Sequence, residues 1–259
     1  MDYPRNKVIA KMREGKLATC TKINITDYIP AEIAAMSGFD CVWLDMEHVP
    51  SDYQEVNMAI MGAKLYGAEV IVRTPRGPYS NLTRPLELDA SGVMVPHCLG
   101  LKDAKEIAYY TKFHPIGRRP IDGGNADGRY CLLDVPDYLK YSNEEKLTII
   151  QIEDVETMDE IEEIAQVPGI DMLFFGPGDF SHSIGLAADT GNPTTCAARE
   201  RVAEVANRYG KFAGTVGGPG NVKDLYDMGY RFVSMGADVV ALSEYNAEII
   251  RKTKELGLI

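Results

Sequence analysis

The chain has 259 residues, of which 45% are hydrophobic and 25% are charged, the balance of an ordinary soluble globular protein. Its formal net charge of −11 argues against a general nucleic-acid or anionic-membrane surface, because both need clustered Lys and Arg. That charge still allows a local basic pocket for a small anion. No apolar run approaches the ~18 residues that span a bilayer, and no apolar core of a signal peptide follows the first residues. We therefore expect a cytoplasmic protein with no nucleic-acid partner and no membrane partner.

The five cysteines are odd in number, widely scattered and never paired as CxxC. This pattern argues against both a disulfide framework and a zinc site. We expect most of them to behave as small core residues.

Short apolar runs alternate with helical patterns along the whole chain. The predicted strands lie at 17–21, 41–44, 70–72, 93–95, 147–152, 172–175, 212–216 and 232–235. The helical patterns lie near 7–14, 29–36, 53–66, 82–86, 104–110, 136–141, 158–165, 197–209, 222–228 and 241–256. The strands are continuous apolar runs, as expected for strands covered on both faces. Eight such strands, each followed by a helix, predict an α/β fold, a (β/α)8 TIM barrel that forms one domain over residues 1–259.

One segment of this pattern, residues 113–131, is rich in Gly, Pro, Asn and Arg and too long for a simple connection. Loops of that length are commonly functional lids or rims. Arg118 and Arg119 within it indicate an anionic or polyhydroxylated partner, and a solvated loop is the alternative.

In such barrels, function is expected at the carboxyl ends of the strands. Glu153 follows the fifth predicted strand and Asp179 follows the sixth, so neighbouring strands would bring the two carboxylates side by side. They repel each other unless a cation lies between them, and Mg²⁺ or Mn²⁺ is the natural choice for oxygen ligands. The alternative interpretation is that both acids cap helices.

Two further strand ends carry residues suited to proton transfer and anion binding. His48 is a candidate proton carrier, because an unperturbed imidazole changes its charge near neutral pH, while Asp45 could orient it or a metal-bound water. Arg73 offers a fixed fork for a carboxylate or an enolate oxygen. The alternatives are a surface histidine and a structural ion pair. His97 has no acid beside it in sequence, and we interpret it as an ordinary surface residue.

Glycine-rich strand ends leave two other possibilities open. The turn at residues 176–179 can expose backbone N–H groups toward a ligand, or it can be a plain tight turn. Residues 217–220 and 236–237 end the seventh and eighth strands, where barrels often bind phosphate, so a phosphosugar enzyme is an alternative. Lys22, at the end of the first strand, is a weak candidate for a Schiff base.

Several of these stretches together resemble one family. Residues 39–48, FDCVWLDMEH, resemble the GFDWxxxDxEH segment of the HpcH/HpaI aldolase/citrate lyase family. Residues 72–75, 95–96, 151–153 and 168–181 fall in the same family's order and spacing. The resemblance runs through almost the whole chain.

The resemblance implies a barrel of the phosphoenolpyruvate/pyruvate type and a carbon–carbon lyase. Such a class II aldolase reversibly cleaves a 4-hydroxy-2-oxo acid to pyruvate, or a close 2-oxo acid, and an aldehyde. It also implies that Glu153 and Asp179 bind a divalent metal, Mg²⁺, Mn²⁺ or Co²⁺, which holds the enolate. Arg73 would stabilise the enolate oxygen, and His48, held by Asp45, would move protons through metal-bound water.

The resemblance further assigns the substrate contacts and the assembly. Backbone N–H groups of Gly178 and Asp179 would hold the carboxylate of a small-molecule substrate, and Gln151 would line the site. The protein would be a homo-oligomer, a hexamer built as a trimer of dimers, with the C-terminal helix exchanged between subunits. The alternative for that helix is packing on its own barrel.

The sequence departs from the family's pattern at positions that bear on the aldehyde partner. Residues 117–120, Gly-Arg-Arg-Pro, stand where the family has an Arg-Gly pair, and 87–89 read Glu-Leu-Asp before the fourth strand. Residues 215–220 are richer in glycine than the family's pattern. Two alternatives therefore stay open: a CoA-thioester lyase of the citrate lyase β or malyl-CoA lyase type, and a non-catalytic barrel that binds 2-oxo acids.

Overall fold

The structure, a computed structural model, describes residues 5–187 and 189–259. Eight parallel strands close into a barrel in chain order, and the last strand pairs with the first. The strands are Ala18–Ile23 (β1), Cys41–Asp45 (β2), Glu69–Arg73 (β3), Gly92–Val95 (β4), Leu147–Ile152 (β5), Met172–Phe175 (β6), Phe212–Gly217 (β7) and Phe232–Ala237 (β8). The predicted (β/α)8 barrel is confirmed, and every predicted strand overlaps an observed one.

Helices surround this barrel. They are Lys7–Arg13 (α1), Tyr28–Met36 (α2), Tyr53–Leu65 (α3), Ser80–Glu87 (α4), Leu101–Thr111 (α5), Val135–Glu145 (α6), Ile161–Ala165 (α7), Pro177–Ser183 (α8), Pro193–Arg208 (α9), Val222–Met228 (α10) and Asp238–Glu255 (α11). A 3-10 helix, Val155–Glu160, precedes α7. The sequence predicted a turn where α8 begins, and α9 starts at Pro193 rather than near residue 197.

The core has an inner and an outer layer because strand side chains alternate between the two faces of the sheet. Inner residues such as Trp43, Ile71 and Phe174 fill the barrel. Outer residues such as Val42 and Val72 pack against α2 and α3. Consecutive strand residues are therefore all buried, which explains the continuous apolar runs in the sequence.

The two ends of the barrel are closed differently. At the amino-terminal end, Val8, Ile9 and Met12 of α1 pack against the inner layer. The side chain of Asn6 caps α1 by accepting the N–H of Ile9 at 3.0 Å. The carboxyl ends of the strands carry polar side chains instead, so this end is the accessible one.

The C-terminal helix α11 differs from the other long helices because none of its residues is buried. It leaves large apolar side chains exposed, among them Leu242, Tyr245 and Ile249. A mostly apolar cavity of about 520 Å³ lies between the first turns of α11 and helix α2. Within the described residues, no helix is both long and apolar enough to cross a membrane.

Candidate active site

Polar side chains lie together at the carboxyl ends of the strands. Side chains along a strand alternate between the inside and the outside of the barrel, so residues two positions apart face the same way. Trp43 and Ile71 face the barrel interior, so Asp45 and Arg73, two residues further along β2 and β3, face the same way. Their Cα atoms are register partners on the paired strands. The residues that this alternation brings to the site are Lys22, Asp45, Arg73, Gln151 and Glu153.

Asp45 and Arg73 form a buried two-point ion pair. The Nε and Nη2 atoms of Arg73 donate to Oδ1 and Oδ2 of Asp45 at 3.0 and 2.6 Å. Lys22 Nζ lies 2.7 Å from Oδ2 of the same carboxylate. Burial alone would raise the pKa of Asp45, but the two cations outweigh it and hold that pKa well below its usual range. Arg73 is therefore held in one orientation.

Trp43 forms the floor beneath both cations. The guanidinium carbon of Arg73 lies 4.8 Å from the ring centroid, and Nζ of Lys22 lies 5.5 Å from it. Cation–π contacts of this kind favour a charged side chain over the ring face. The stack adds a second restraint on Arg73.

The carboxylate of Asp45 does not contact the imidazole ring of His48, contrary to the role expected from the sequence. It accepts main-chain N–H groups instead, from Glu47 at 3.0 Å and from His48 at 3.4 Å. The acid nearest the ring is Glu47, whose Oε2 lies 3.5 Å from Nε2 of His48 and 3.1 Å from Nη1 of Arg73. The side chain of His48 is 59% exposed. Asp45 thus positions Arg73 and the loop, and Glu47 is a site residue that sequence reasoning missed.

Glu153 is a fully buried acid of the site, with only 1% of its side chain exposed. Its Oε1 accepts the main-chain N–H of His97 at 2.8 Å, and its Oε2 accepts Nε2 of Gln151 at 2.8 Å. Burial raises the pKa of Glu153 to about 7; Asp179 and Glu47 act in the same direction, while His97 opposes them. A Cβ added at Gly176 would lie 2.4 Å from Oε2 of Glu153, so this carboxylate position requires a glycine there.

His97 belongs to the site, so its interpretation as an ordinary surface histidine was wrong. Its Nδ1 lies 3.1 Å from Oδ2 of Asp154, and its Nε2 lies 3.8 Å from Oε1 of Glu47. Its backbone has φ +47, a left-handed conformation that is uncommon for a residue with a side chain. Burial lowers the pKa of His97, but the carboxylates of Glu153, Asp154 and Glu47 outweigh it and raise that pKa. No local sequence signal marks this residue, because its acids come from other strand ends.

Asp179 and Gly178 lie in the first turn of α8, which begins directly after β6. Strand β6 pairs with β5, so the predicted adjacency of the strands that carry Glu153 and Asp179 is confirmed. The side chain of Asp179 is exposed to solvent, and its charge contributes to the raised pKa of Glu153.

Comparison with known proteins places this arrangement in a family. The sequence model of the HpcH/HpaI aldolase/citrate lyase family matches residues 24–244, most of the chain. The chain belongs to the HpcH/HpaI aldolase/citrate lyase family. The predictions of this family and of a lyase are thereby confirmed.

Known proteins that resemble this chain carry different substrate names. A hydroxypyruvate/pyruvate aldolase from Pseudomonas aeruginosa is 27% identical over 256 residues, which are 98% of this chain and 95% of the relative. A 2-keto-3-deoxy-L-rhamnonate aldolase from Klebsiella pneumoniae is 29% identical over 245 residues, with coverage of 90% and 88%. Both names are those of aldolases, whereas the compounds that they name differ.

Solved structures of other proteins share the fold. An HpcH/HpaI aldolase from Desulfitobacterium hafniense has a TM-score of 0.90 at 27% identity, with 95% of this chain and 96% of that chain covered. A citrate lyase β subunit from M. tuberculosis, complexed with oxaloacetate and magnesium, has a TM-score of 0.54 at 15% identity, with coverage of 85% and 91%. The second likeness shows the fold alone.

The charges of this HpcH/HpaI site suit a divalent cation. The acids are Asp45, Glu47, Glu153, Asp154 and Asp179, and the permanent cations are Lys22 and Arg73. Among residues 5–187 and 189–259, no group of three His, Cys, Asp or Glu side chains could hold a metal by itself. Mg²⁺ is commonly held by one or two carboxylates, with waters or substrate in the remaining positions. The buried Oε1 of Gln151 has no hydrogen-bond partner and adds an acceptor, so the donor set fits a hard cation.

The structure does not support two ligand contacts that the sequence suggested, an anion contact of Arg119 and a Schiff base of Lys22. Arg119 is buried in an ion pair with Asp127 at 2.7 Å and stacks on the ring of Phe113 at 4.8 Å. It therefore holds the segment 113–131 in place and does not reach a substrate. The Nζ atom of Lys22 lies 2.7 Å from Oδ2 of Asp45, so this amine is held in an ion pair and is not free to form a Schiff base.

Proposed function

We propose that the protein is a metal-dependent class II aldolase that reversibly cleaves a 4-hydroxy-2-oxo acid to pyruvate, or a close 2-oxo acid, and an aldehyde. The observation that carries the proposal is the state of Glu153. Its buried carboxylate has a pKa raised to about 7, next to the charges of Asp179 and Glu47. An acid that is costly to ionise becomes favourable to ionise when a cation binds it.

The metal site would use Glu153 and Asp179, with Mg²⁺, Mn²⁺ or Co²⁺ as the cation. When bound, the metal would supply Lewis acidity to the keto group of the 2-oxo acid. Gln151 would keep Glu153 in place through its 2.8 Å hydrogen bond. Membership of an aldolase and lyase family supports this reaction class.

Arg73 would stabilise the developing enolate oxygen. Its guanidinium is fixed by the two hydrogen bonds that it donates to Asp45 and by the ring of Trp43, so it needs little reorganisation during the reaction. Asp45 would act through Arg73 as a positioning residue.

Proton transfer would fall to His48. Its imidazole is exposed at the site and lies beside Glu47, where it would exchange protons with the substrate. A histidine can accept the proton in one direction of the reaction and return it in the other. The N–H groups of Gly178 and Asp179, at the start of α8, would hold the substrate carboxylate.

The decisive experiment is hydrogen exchange of the methyl protons of pyruvate in D₂O, followed by NMR. We expect exchange with Mg²⁺ or Mn²⁺ and none in EDTA, with a sharp loss in Glu153→Gln and His48→Ala. Lys223→Met, a substitution on an exposed helix face, is the matched control and should leave the rate unchanged. Exchange that survives EDTA would contradict the metal assignment.

Two alternatives predict other results in the same assay. A CoA-thioester lyase would show no exchange with pyruvate but would cleave an acyl-CoA substrate. A binding barrel would hold pyruvate, detected by calorimetry, without exchange under any metal. Either outcome would contradict the aldolase proposal.

We also propose that the chain is one barrel domain that assembles as a homo-oligomer, with α11 covering the apolar cavity beside α2 of a second copy. An 18-residue helix with no buried residue has little reason to stay folded on its own. Leu242 and Tyr245 are exposed and line that cavity from the side of α11, and Ile249 is exposed further along the same helix. A hexamer arranged as a trimer of dimers is the expected state, and a cytoplasmic location stays a prediction.

Sedimentation of the full chain tests the assembly. We expect the mass of a hexamer for the native chain and a smaller species for Ile249→Asp, because a buried charge without a partner opposes association. Lys252→Gln, on the same helix, changes the net charge by the same −1 and serves as the control for charge alone. A native chain that sediments as a monomer would contradict the assembly.

A further inference from the structure

A polar cavity of about 280 Å³ opens at the amino-terminal end of the barrel, opposite to the candidate active site. It lies where α1 begins, where α3 ends and where β3, β4 and β5 start. Its cationic lining residues are Arg5, Lys7, Lys64, Arg129 and Lys146, and its acidic ones are Glu69, Asp89 and Glu145. Cations thus outnumber acids here, although the whole chain carries a net charge of −11.

Two of the three acids, Glu69 and Glu145, accept hydrogen bonds from uncharged donors. Glu69 accepts the main-chain N–H of Lys7 at 2.9 Å and the hydroxyl of Ser91. Glu145 accepts the main-chain N–H of Asn6 at 2.7 Å. These carboxylates form no ion pair with the lysines and arginines of the cavity among the described residues.

The third acid, Asp89, is shared by three cations. Lys64 Nζ donates to its Oδ2 at 2.7 Å, Lys146 donates to its Oδ1, and Arg129 lies 3.6 Å from Oδ2. Lys146 is almost fully buried, and burial lowers its pKa to about 8 even though Asp89 acts in the opposite direction. The single carboxylate of Asp89 therefore pairs with three cations, and the positive charge around the cavity is only partly balanced.

The backbone beside the cavity is strained where it presents Arg129. Arg129, Tyr130 and Cys131 have φ values of 52, 55 and 65, and Asp89 has φ 70. Left-handed conformations are unfavourable for residues with a Cβ, and three in succession are rarer still. Strain of this kind persists when the surrounding structure requires it, and it clusters at functional sites. Here it brings a guanidinium to the rim of the cavity.

We propose that this cavity binds the phosphate group of a small phosphorylated metabolite, at a site separate from the candidate active site and independent of the function proposed for it. The cations come from four places: α1 and the segment before it, α3, the segment before α6, and the residue directly before β5. They surround the cavity rather than forming one planar fork. A tetrahedral dianion offers acceptor oxygens in several directions and is well matched by lysine point charges. The cavity is larger than a phosphate ion, which leaves room for the organic part of an ester.

Calorimetric titration of the full chain with inorganic phosphate and then pyrophosphate tests this proposal. EDTA is present throughout, so that no metal at the other end of the barrel can bind the anion. We expect one site per chain, with affinity at least about tenfold weaker in Lys64→Met and in Arg129→Gln, the effect of losing one charge-assisted hydrogen bond. Lys64→Arg should restore most of the affinity.

Matched controls separate this site from general attraction and from the active site. Lys223→Met removes the same charge from an exposed helix, and Glu153→Gln alters the active site; both should bind phosphate as the native chain does. Arg129 is partly exposed, so its substitution tests the site even if Lys64→Met unfolds the chain. The proposal is overturned if neither anion binds, if Lys223→Met or Glu153→Gln weakens binding as much as Arg129→Gln does, or if citrate binds more tightly than pyrophosphate.

Discussion

The two ends of the barrel carry opposite excesses of charge. At the carboxyl ends of the strands, acids outnumber lysine and arginine, and Glu153 has a raised pKa. At the amino-terminal ends, cations outnumber acids, and Lys146 has a lowered pKa. In both places one buried aspartate, Asp45 or Asp89, is held by two or three cations. The two ends differ in the charge that is not balanced by internal ion pairs. This charge is negative at the carboxyl ends of the strands, which predicts a cation ligand there, and positive at the amino-terminal ends, which predicts an anion ligand.

The variant with the largest expected effect removes the carboxylate charge of Glu153 from the acidic end of the barrel. We expect Glu153→Gln to lower metal-dependent exchange of pyruvate protons by about 10²–10³-fold, as for loss of a major electrostatic contribution. The amide keeps the shape and the hydrogen bond from His97, so the chain should stay folded. Phosphate binding at the opposite end should not change. A variant with native exchange rates would show that this carboxylate is not needed.

The next test uses pH and stability in EDTA. The pKa of Glu153 is about 7 in the folded chain and near 4.5 when unperturbed. The folded state therefore holds this proton more tightly than the unfolded state does, and ionisation costs stability as pH rises from about 4.5 to 7. We expect the native chain to lose about 3 kcal/mol relative to Glu153→Gln across this range, measured by urea unfolding. Parallel curves for the two proteins would mean that the burial of this acid carries no such penalty.

A smaller change displaces the same carboxylate without removing it. A methyl group at Gly176 would lie 2.4 Å from Oε2 of Glu153, so Gly176→Ala must push the carboxylate away. We expect Mn²⁺ affinity, measured by electron paramagnetic resonance, to fall by about 10–100-fold. Gly178→Ala, where an added Cβ meets no atom within 4 Å, is the matched control. Equal affinity in the two variants would count against Glu153 as a ligand.

The smallest expected effect comes from the imidazole of His97. Its ring joins Asp154 to the site, while its main-chain N–H holds Glu153 whatever the side chain. We expect His97→Asn to weaken Mn²⁺ binding by about tenfold, the lower limit for residues that orient metal ligands. Asp154→Asn should give a similar loss, and the double variant should add little to it. Full additivity would show that the two side chains act separately.

The sequence predicted the parts of this protein that depend on local pattern. Continuous apolar runs located β5 and β6, and the residues that follow them located Glu153 and Asp179. The alternation of β2 and β3 likewise brought Asp45 and Arg73 to one end of the barrel.

What the sequence did not predict depends on contacts between strand ends. His97 meets Asp154 across the β4–β5 boundary, and its left-handed backbone has no signature in a residue other than glycine. Asp45 was expected to hold His48 because the two are three residues apart, but the fork of Arg73 on the neighbouring strand competes better for a buried carboxylate. The burial of Arg119 follows from Asp127, eight residues away in a segment without regular structure.

The position of Trp43 gives the protein an optical property. The chain contains a single tryptophan, and its indole lies under Arg73 and Lys22 inside the barrel. The ultraviolet emission of the whole molecule therefore comes largely from one fluorophore at the floor of the candidate active site. Its quantum yield depends on the two cations above it, so ligands can be followed in real time without a label. The opposite end of the barrel holds no indole, which makes the signal selective for one of the two sites.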